Sequence, residues 1–452
     1  MKFNKEKTVI YFFLLGSIIF FFFFGLYHLS KFETTDEHLW KYDRIGKYWQ
    51  AVKNKNWKKT YINDKPGVTV ALISGIGLFF EPDPESHKIG DPKVTQNGLF
   101  EVFDSTRTER INYAFRLPIL IFSTLSLFLF FWLIKKAIDS DWLALFTVML
   151  IALNPILVGM AQIINPDSFL WIFGGLAAFS FLAYLNKNKK KLFYLSAIFT
   201  GFAILSKYTA VILFLFYFLA ILSKIIFNSG DVKNLDWMRK KIIDLVLILI
   251  ISLFIFSIFL PAVFLEPKLL FKGISQFITK KNIFALGTAT ALIIFGGMLV
   301  VNFWKKICLF FQRNKNYFLM AVSIIFLAII VPLIINVWTG QKIIPFDEMK
   351  NTAYAQEPKE FNFGNLLKKD NPWGKNGKLL LMEAYPFIFS LTPLFWILIG
   401  FITLKTFSKK ISDLSAGIFF AVILFFVFYF SSTVFARIVS NARYCILLYP
   451  FF

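Results

Sequence analysis

Long apolar runs separated by short polar breaks dominate the chain. Runs over residues 8–27, 113–134, 143–164, 169–185, 242–265, 283–304, 317–338, 387–406 and 416–435 each come near the roughly 20 residues that a helix needs to cross a bilayer. The run 192–227 is too long for one crossing and carries Ser206-Lys207-Tyr208 at its middle, so it reads as two spans with Lys207 between them. Counted this way the chain holds eleven complete spans, which predicts an all-α polytopic membrane protein built as a single transmembrane module over residues 1–452.

The polar breaks orient the spans. Lys2, Lys5 and Lys7 precede the first run, and no small-x-small cleavage site follows it, so it reads as a retained helix with a cytoplasmic amino terminus. Alternation then puts Lys135-Lys136, the basic stretch 187–191, Lys233, Arg239-Lys240-Lys241, Lys305-Lys306, Arg313 and Lys409-Lys410 inside, as the positive-inside rule expects. Lys268, Lys272, Lys280 and Lys281 fall on the other side and break the pattern. Two long stretches, 28–112 and 339–383, become extracytoplasmic loops, the second long enough to be functional. The tail after Arg443 is too short to cross a bilayer, which predicts that one or more further helices follow residue 452.

The first loop has its own pattern. Between Glu37 and Trp57, apolar and aromatic residues recur at helical spacing among lysines and Arg44, as in a helix lying along a membrane surface. After the turn signal Lys65-Pro66-Gly67, the apolar run 68–80 is too short to span and reads as a re-entrant or interfacial element.

Composition sharpens the class. Hydrophobic residues make up 57% of the 452 residues, 60 of them Phe, above the roughly 45–50% usual for soluble domains, and mean hydropathy is +0.63. The formal charge of +22 follows from the loop lysines and arginines; no basic domain for nucleic acid is present. The two cysteines, Cys308 and Cys445, are far apart and indicate neither a disulfide framework nor a thiolate metal site.

Candidate chemistry collects on the extracytoplasmic side. Asp36 and Glu37 stand together after the first span, Asp167 and Lys207 sit at span ends, and Lys65, Arg116 and Arg443 lie on the same side. A carboxylate there can take the proton of an acceptor hydroxyl, while cations hold the oxygens of a departing phosphate. Moving a sugar off a lipid phosphate needs such a base and such cations, but no general acid for the leaving group. A transporter or lipid flippase would instead use intramembrane charges as a path, with paired broken helices and repeat symmetry; the sequence shows no internal repeat.

Ordered motifs carry a resemblance. Thr35-Asp36-Glu37-His38-Leu39-Trp40, Arg44, Tyr48-Trp49, Trp57, Thr60-Tyr61, Pro66-Gly67-Val68-Thr69, Arg116-Leu117-Pro118, Asn154-Pro155, Asn165-Pro166-Asp167, Ser206-Lys207-Tyr208-Thr209, Pro261, Glu266-Pro267, Arg443-Tyr444 and Tyr449-Pro450 together resemble the GT-C superfamily of polyprenyl-phosphate-sugar-dependent glycosyltransferases. The nearest branch is that of protein O-mannosyltransferases and lipid A aminoarabinose transferases. The resemblance implies an inverting direct displacement with Asp36 as general base and Glu37 as its support. It implies Lys207, Arg443, Arg116 and Lys65 as donor-phosphate contacts and Asp167 as a second acidic position; Lys65 departs from the His that relatives often carry before Pro-Gly. A divalent metal, where one is used, would fall to Asp36 and Asp167. The implied partners are a polyprenyl-phosphate-linked sugar donor, a protein, lipid or glycan acceptor and the bilayer, and the short loops point to a prokaryotic plasma membrane.

Overall fold

The computed structural model describes residues 5–34, 36–63, 65–84, 105–227, 235–269, 309–338, 412–435 and 442–451, with 397, 400, 401 and 405. The expected span 283–304, the loop 339–383, most of the span 387–406, the basic residues Lys272, Lys280 and Lys281, and the tract 85–104 of the first loop lie outside these residues. Every regular element among the described residues is helical. Six of the helices are long and apolar enough to cross a membrane, or seven if one bent pair counts as a span. The protein is thus an all-α polytopic membrane protein.

The chain divides into two compact units. One comprises Met1–Ile221, Val232–Ile307 and Tyr449–Phe452. Its first helix, α1 (Lys5–Leu26), is followed by a continuous helical run made of α2 (Glu37–Leu39), a π turn (Trp40–Arg44) and α3 (Ile45–Lys53). After a 3-10 turn at Trp57–Thr60 comes α4 (Val68–Ser74), prolonged as 3-10 helix to Phe79. Then follow α5 (Ser105–Ile138), α6 (Asp141–Ala152), α7 (Pro155–Ala161), α8 (Pro166–Lys187), α9 (Lys190–Ser206), α10 (Leu213–Phe227), of which the residues up to Ile221 belong to this unit, α11 (Leu235–Phe259) and α12 (Pro261–Leu265).

Helix α8 is the centre of this unit. Every residue from Pro166 to Leu185 is buried, as expected of a helix that is apolar on all faces, and α5 and α9 pack against it. Its start is specified locally: Asn165 caps it by accepting from the Asp167 N–H, and Pro166 occupies the first turn, where its missing N–H costs nothing. Asn188 ends it in the left-handed conformation, φ 50°, a common helix stop.

Two expectations about the apolar runs meet different outcomes. The run 192–227 is interrupted: α9 stops at Ser206, Lys207 is extended at φ −158° and ψ 136°, and a 3-10 turn leads into α10. The run 143–164 is not one straight span but α6 and α7 bent by 64°. Asn154 accepts from the Ile156 and Leu157 N–H groups and Pro155 begins α7, so the pair terminates α6, because proline can neither donate to the helix nor avoid its preceding turn.

The first part of the short apolar run 68–80 packs against the protein, while Ile76, Phe79 and Phe80 are exposed. Val68, Thr69, Val70, Ala71 and Ser74 are buried; Ser74 Oγ donates to the Phe115 carbonyl at 2.7 Å, and Trp49 Nε1 donates to that of Ala71 at 2.7 Å. Its entry depends on Gly67, at φ +61°, where a Cβ would lie 2.1 Å from the Trp40 ring. Gly67→Ala therefore combines a strained backbone with a clash against a buried indole and should cost about 2 kcal/mol or more. Thermal unfolding in detergent checks this against Gly46→Ala, where a Cβ meets nothing within 4 Å and stability should hold.

The second unit comprises Leu222–Asp231 and Cys308–Leu448. Its helices α13 (Lys315–Trp338) and α14 (Asp413–Phe435) pack around Ile226, Phe227, Leu319, Ala416 and Phe420, and Lys315 pairs with Asp413 at 2.7 Å.

Candidate active site

The acidic pair after α1 is divided by its surroundings. Glu37 is fully buried and its carboxylate accepts four hydrogen bonds. Arg116 Nε reaches Oε1 at 2.9 Å and Arg116 Nη2 reaches Oε2 at 2.7 Å; the Ile164 N–H adds to Oε1 at 2.7 Å and the Thr34 N–H to Oε2 at 2.7 Å. Arg116, also fully buried, donates in addition to the carbonyls of Leu29 at 2.6 Å and Phe32. One bidentate ion pair thus ties the chain after α1, the start of α2, the middle of α5 and the segment before α8 together. Arg116, expected as a phosphate contact, has its guanidinium committed to the fold.

Next to it lies a second buried cation. Lys41, on the π turn, has no exposed surface; it pairs with Glu33 at 2.9 Å and donates to Asn112 Oδ1, while Asn112 Nδ2 donates to the Ser30 carbonyl at 3.0 Å. Burial pushes the Lys41 ammonium below its ordinary value, opposed by the Glu33 carboxylate. A buried charge is tolerated when paired and hydrogen-bonded, and Glu33 with Asn112 meets that condition.

Asp36 differs from Glu37 in remaining partly exposed. It occupies the N-cap position of α2, yet its side chain makes no capping bond. Instead Asn165 Nδ2 donates to Asp36 Oδ2 at 3.4 Å, joining the base candidate to the amino end of α8. Two residues on, Asp167 is buried and accepts from Lys207 Nζ at 2.8 and 3.0 Å. Asp36, Asn165, Asp167 and Lys207 therefore form one polar line from the first loop to the break between α9 and α10.

Lys65 flanks that break through the backbone. The Gly67 N–H donates to the Ser206 carbonyl at 3.2 Å and Thr69 Oγ1 to Ser206 Oγ at 2.9 Å, so the turn after Lys65 docks on the residue before Lys207. Lys65 itself is half-buried. Arg443 lies on the 3-10 helix Ala442–Phe451; the expectation for its side chain falls outside the described residues.

Lys41, Gln162 and Asn165 are among the members of this neighbourhood that the residue pattern does not assign. Lys41 reads as one lysine of a polar helix face, and Gln162 as a chance amide in an apolar run. Only Asn165 carries a signal, as the cap residue in Asn165-Pro166-Asp167.

Asp167 accepts from Lys207 with both oxygens, and among the described residues no group of three or more His, Cys, Asp or Glu side chains comes together.

Residues 92–269 match the dolichyl-phosphate-mannose-protein mannosyltransferase family, a stretch that includes Arg116, Asn165, Asp167 and Lys207 but not Asp36. No curated protein and no solved structure matches the chain. The matched family is one of the GT-C superfamily, in keeping with the resemblance carried by the motifs, and the match over this stretch supports reading the chain as a membrane glycosyltransferase with a polyprenyl-phosphate sugar donor.

Proposed function

We propose that the protein transfers a mannose-like sugar from a polyprenyl phosphate to an acceptor hydroxyl or amine, on the extracytoplasmic side of a plasma membrane, with Asp36 as general base. The acceptor proton passes to the Asp36 carboxylate as the acceptor atom bonds to the anomeric carbon. The bond from that carbon to the phosphate oxygen breaks on the opposite side, its electron pair leaves with the lipid phosphate, and the anomeric centre inverts. A phosphate leaves as a stable anion, so one base and a cationic site suffice.

The observation that carries this reading is the division of labour among the carboxylates. Glu37 and Asp167 are buried against Arg116 and Lys207, respectively, whereas Asp36 is partly exposed beside them. Glu37 and Arg116 are then positioning residues that shape the Asp36 loop, and Arg116 does not contact the donor. Lys207, held by Asp167 at the break between α9 and α10, is the cation proposed for the donor phosphate, which would share or exchange that ion pair, whereas Arg116 is fixed by Glu37 and two backbone carbonyls together. Lys65 is the further cation proposed for the phosphate, and the acceptor class is protein, lipid or glycan.

The paired change Lys207→Met with Asp167→Asn tests this assignment without leaving an uncompensated charge. Turnover of a polyprenyl-phosphate sugar by the purified double variant should fall roughly 100-fold or more with the protein still folded. Undiminished turnover would remove Lys207 from the donor site.

A further inference from the structure

We propose that Asn165 is a positioning residue for Asp36, aiming the carboxylate with an uncharged donor whose direction is fixed by the start of α8. This rests on the reading of Asp36 as the base.

Asn165 is 4% exposed, and both ends of its amide are accounted for. Its Oδ1 accepts from the Asp167 N–H at 2.9 Å; only the oxygen can face a donor, so the orientation of the amide is settled and Nδ2 must point the other way. There it meets Asp36 Oδ2 at 3.4 Å.

The backbone on either side is also pinned. The Ile164 N–H is held on Glu37 at 2.7 Å, and Pro166 fixes its own backbone torsion. Asp167 is anchored by Lys207 at 2.8 Å. Gln162 Nε2 donates to the carbonyls of Gly25 at 2.9 Å and Tyr27 at 3.0 Å, which ties the strap of residues 162–167 to the end of α1, where the chain leaves toward Asp36. The strap touches both the loop of the base and the partner of Lys207, so it sets the position of the base relative to the phosphate cation.

A neutral amide suits this task. A cation in its place would orient a carboxylate but also weaken its hold on a proton, whereas an amide directs it without adding charge. The contact is long, as catalytic hydrogen bonds often are before substrate arrives.

Capping and positioning can be separated because Ser and Asp are also good caps. Asn165→Ser keeps a cap for α8 but is too short to reach Asp36; Asn165→Asp keeps the cap and places a carboxylate beside Asp36. The charged groups around this corner are Glu37 with Arg116, Asp167 with Lys207, and His38 on the helix that Asp36 begins, none of them altered by either change. In the purified full chain, assayed with polyprenyl-phosphate mannose as the probe, Asn165→Ser should keep the thermal midpoint of the wild type. Its kcat should drop roughly 10- to 100-fold with donor KM unchanged within about twofold. In Asn165→Asp the acidic limb of the kcat/KM profile should move to higher pH by about one unit, as for two neighbouring carboxylates. Wild-type kcat in the Ser variant, or an unmoved acidic limb in the Asp variant, overturns the proposal. A fully active Asp36→Asn protein would instead overturn the base itself, a separate outcome.

Discussion

Purified Asp36→Asn protein should transfer sugar about 1,000-fold more slowly than the wild type while folding and inserting normally. The size follows from the role: a positioned general base contributes roughly 100- to 10,000-fold, and an amide of the same shape cannot accept the proton. Folding should be spared because Asp36 is partly exposed and caps nothing with its side chain. Changes at such positions shift stability by only about 0.5 kcal/mol. Single-turnover transfer beside a thermal melt in detergent checks both halves, and unchanged turnover would withdraw Asp36 as the base.

Arg116→Ala should have the opposite profile, a loss of the fold before any loss specific to the donor. The substitution leaves the Glu37 carboxylate, fully buried, without its cation and strips the Leu29 and Phe32 carbonyls of their donor. Breaking a buried pair by removing one partner costs about 3–5 kcal/mol, a large part of the 5–15 kcal/mol that holds a typical domain together. Removing both charges, as in Glu37→Leu with Arg116→Met, should restore part of that stability, since no buried charge is left alone. It should not restore all of it, because the Thr34 and Ile164 N–H groups lose their acceptor. Yield and thermal midpoint in detergent report the effect. A stable Arg116→Ala protein with only a raised donor KM would return Arg116 to the phosphate site.

The apolar pattern carried much of the fold. The spans at 8–27, 113–134 and 169–185 correspond to α1, α5 and α8, and Lys207 marked its own break because a lysine within a continuous apolar run has to find a helix end or a partner. The bend in 143–164 was signalled by Asn154-Pro155, but the length of the run concealed it. The pairing inside the site was less legible. Glu37 and Arg116 stand 79 residues apart, and no local rule joins a first-turn glutamate to an arginine in a later span. Lys41 shows the same limit: helical spacing marks a position as polar, whereas burial depends on partners such as Asn112 that arrive from another element. Asn165 was visible as a cap before proline, and its second contact, with Asp36, exists only in three dimensions.

Inverting transfer with Asp36 as base is decided by a reaction with purified wild-type and Asp36→Asn proteins side by side in liposomes, supplied with polyprenyl-phosphate mannose and an acceptor, with the anomeric configuration of the product determined. The wild type should yield a product of configuration opposite to the donor, and Asp36→Asn essentially none. Retained configuration would contradict direct displacement, and movement of the intact lipid-linked sugar across the bilayer with no transfer would contradict the enzyme.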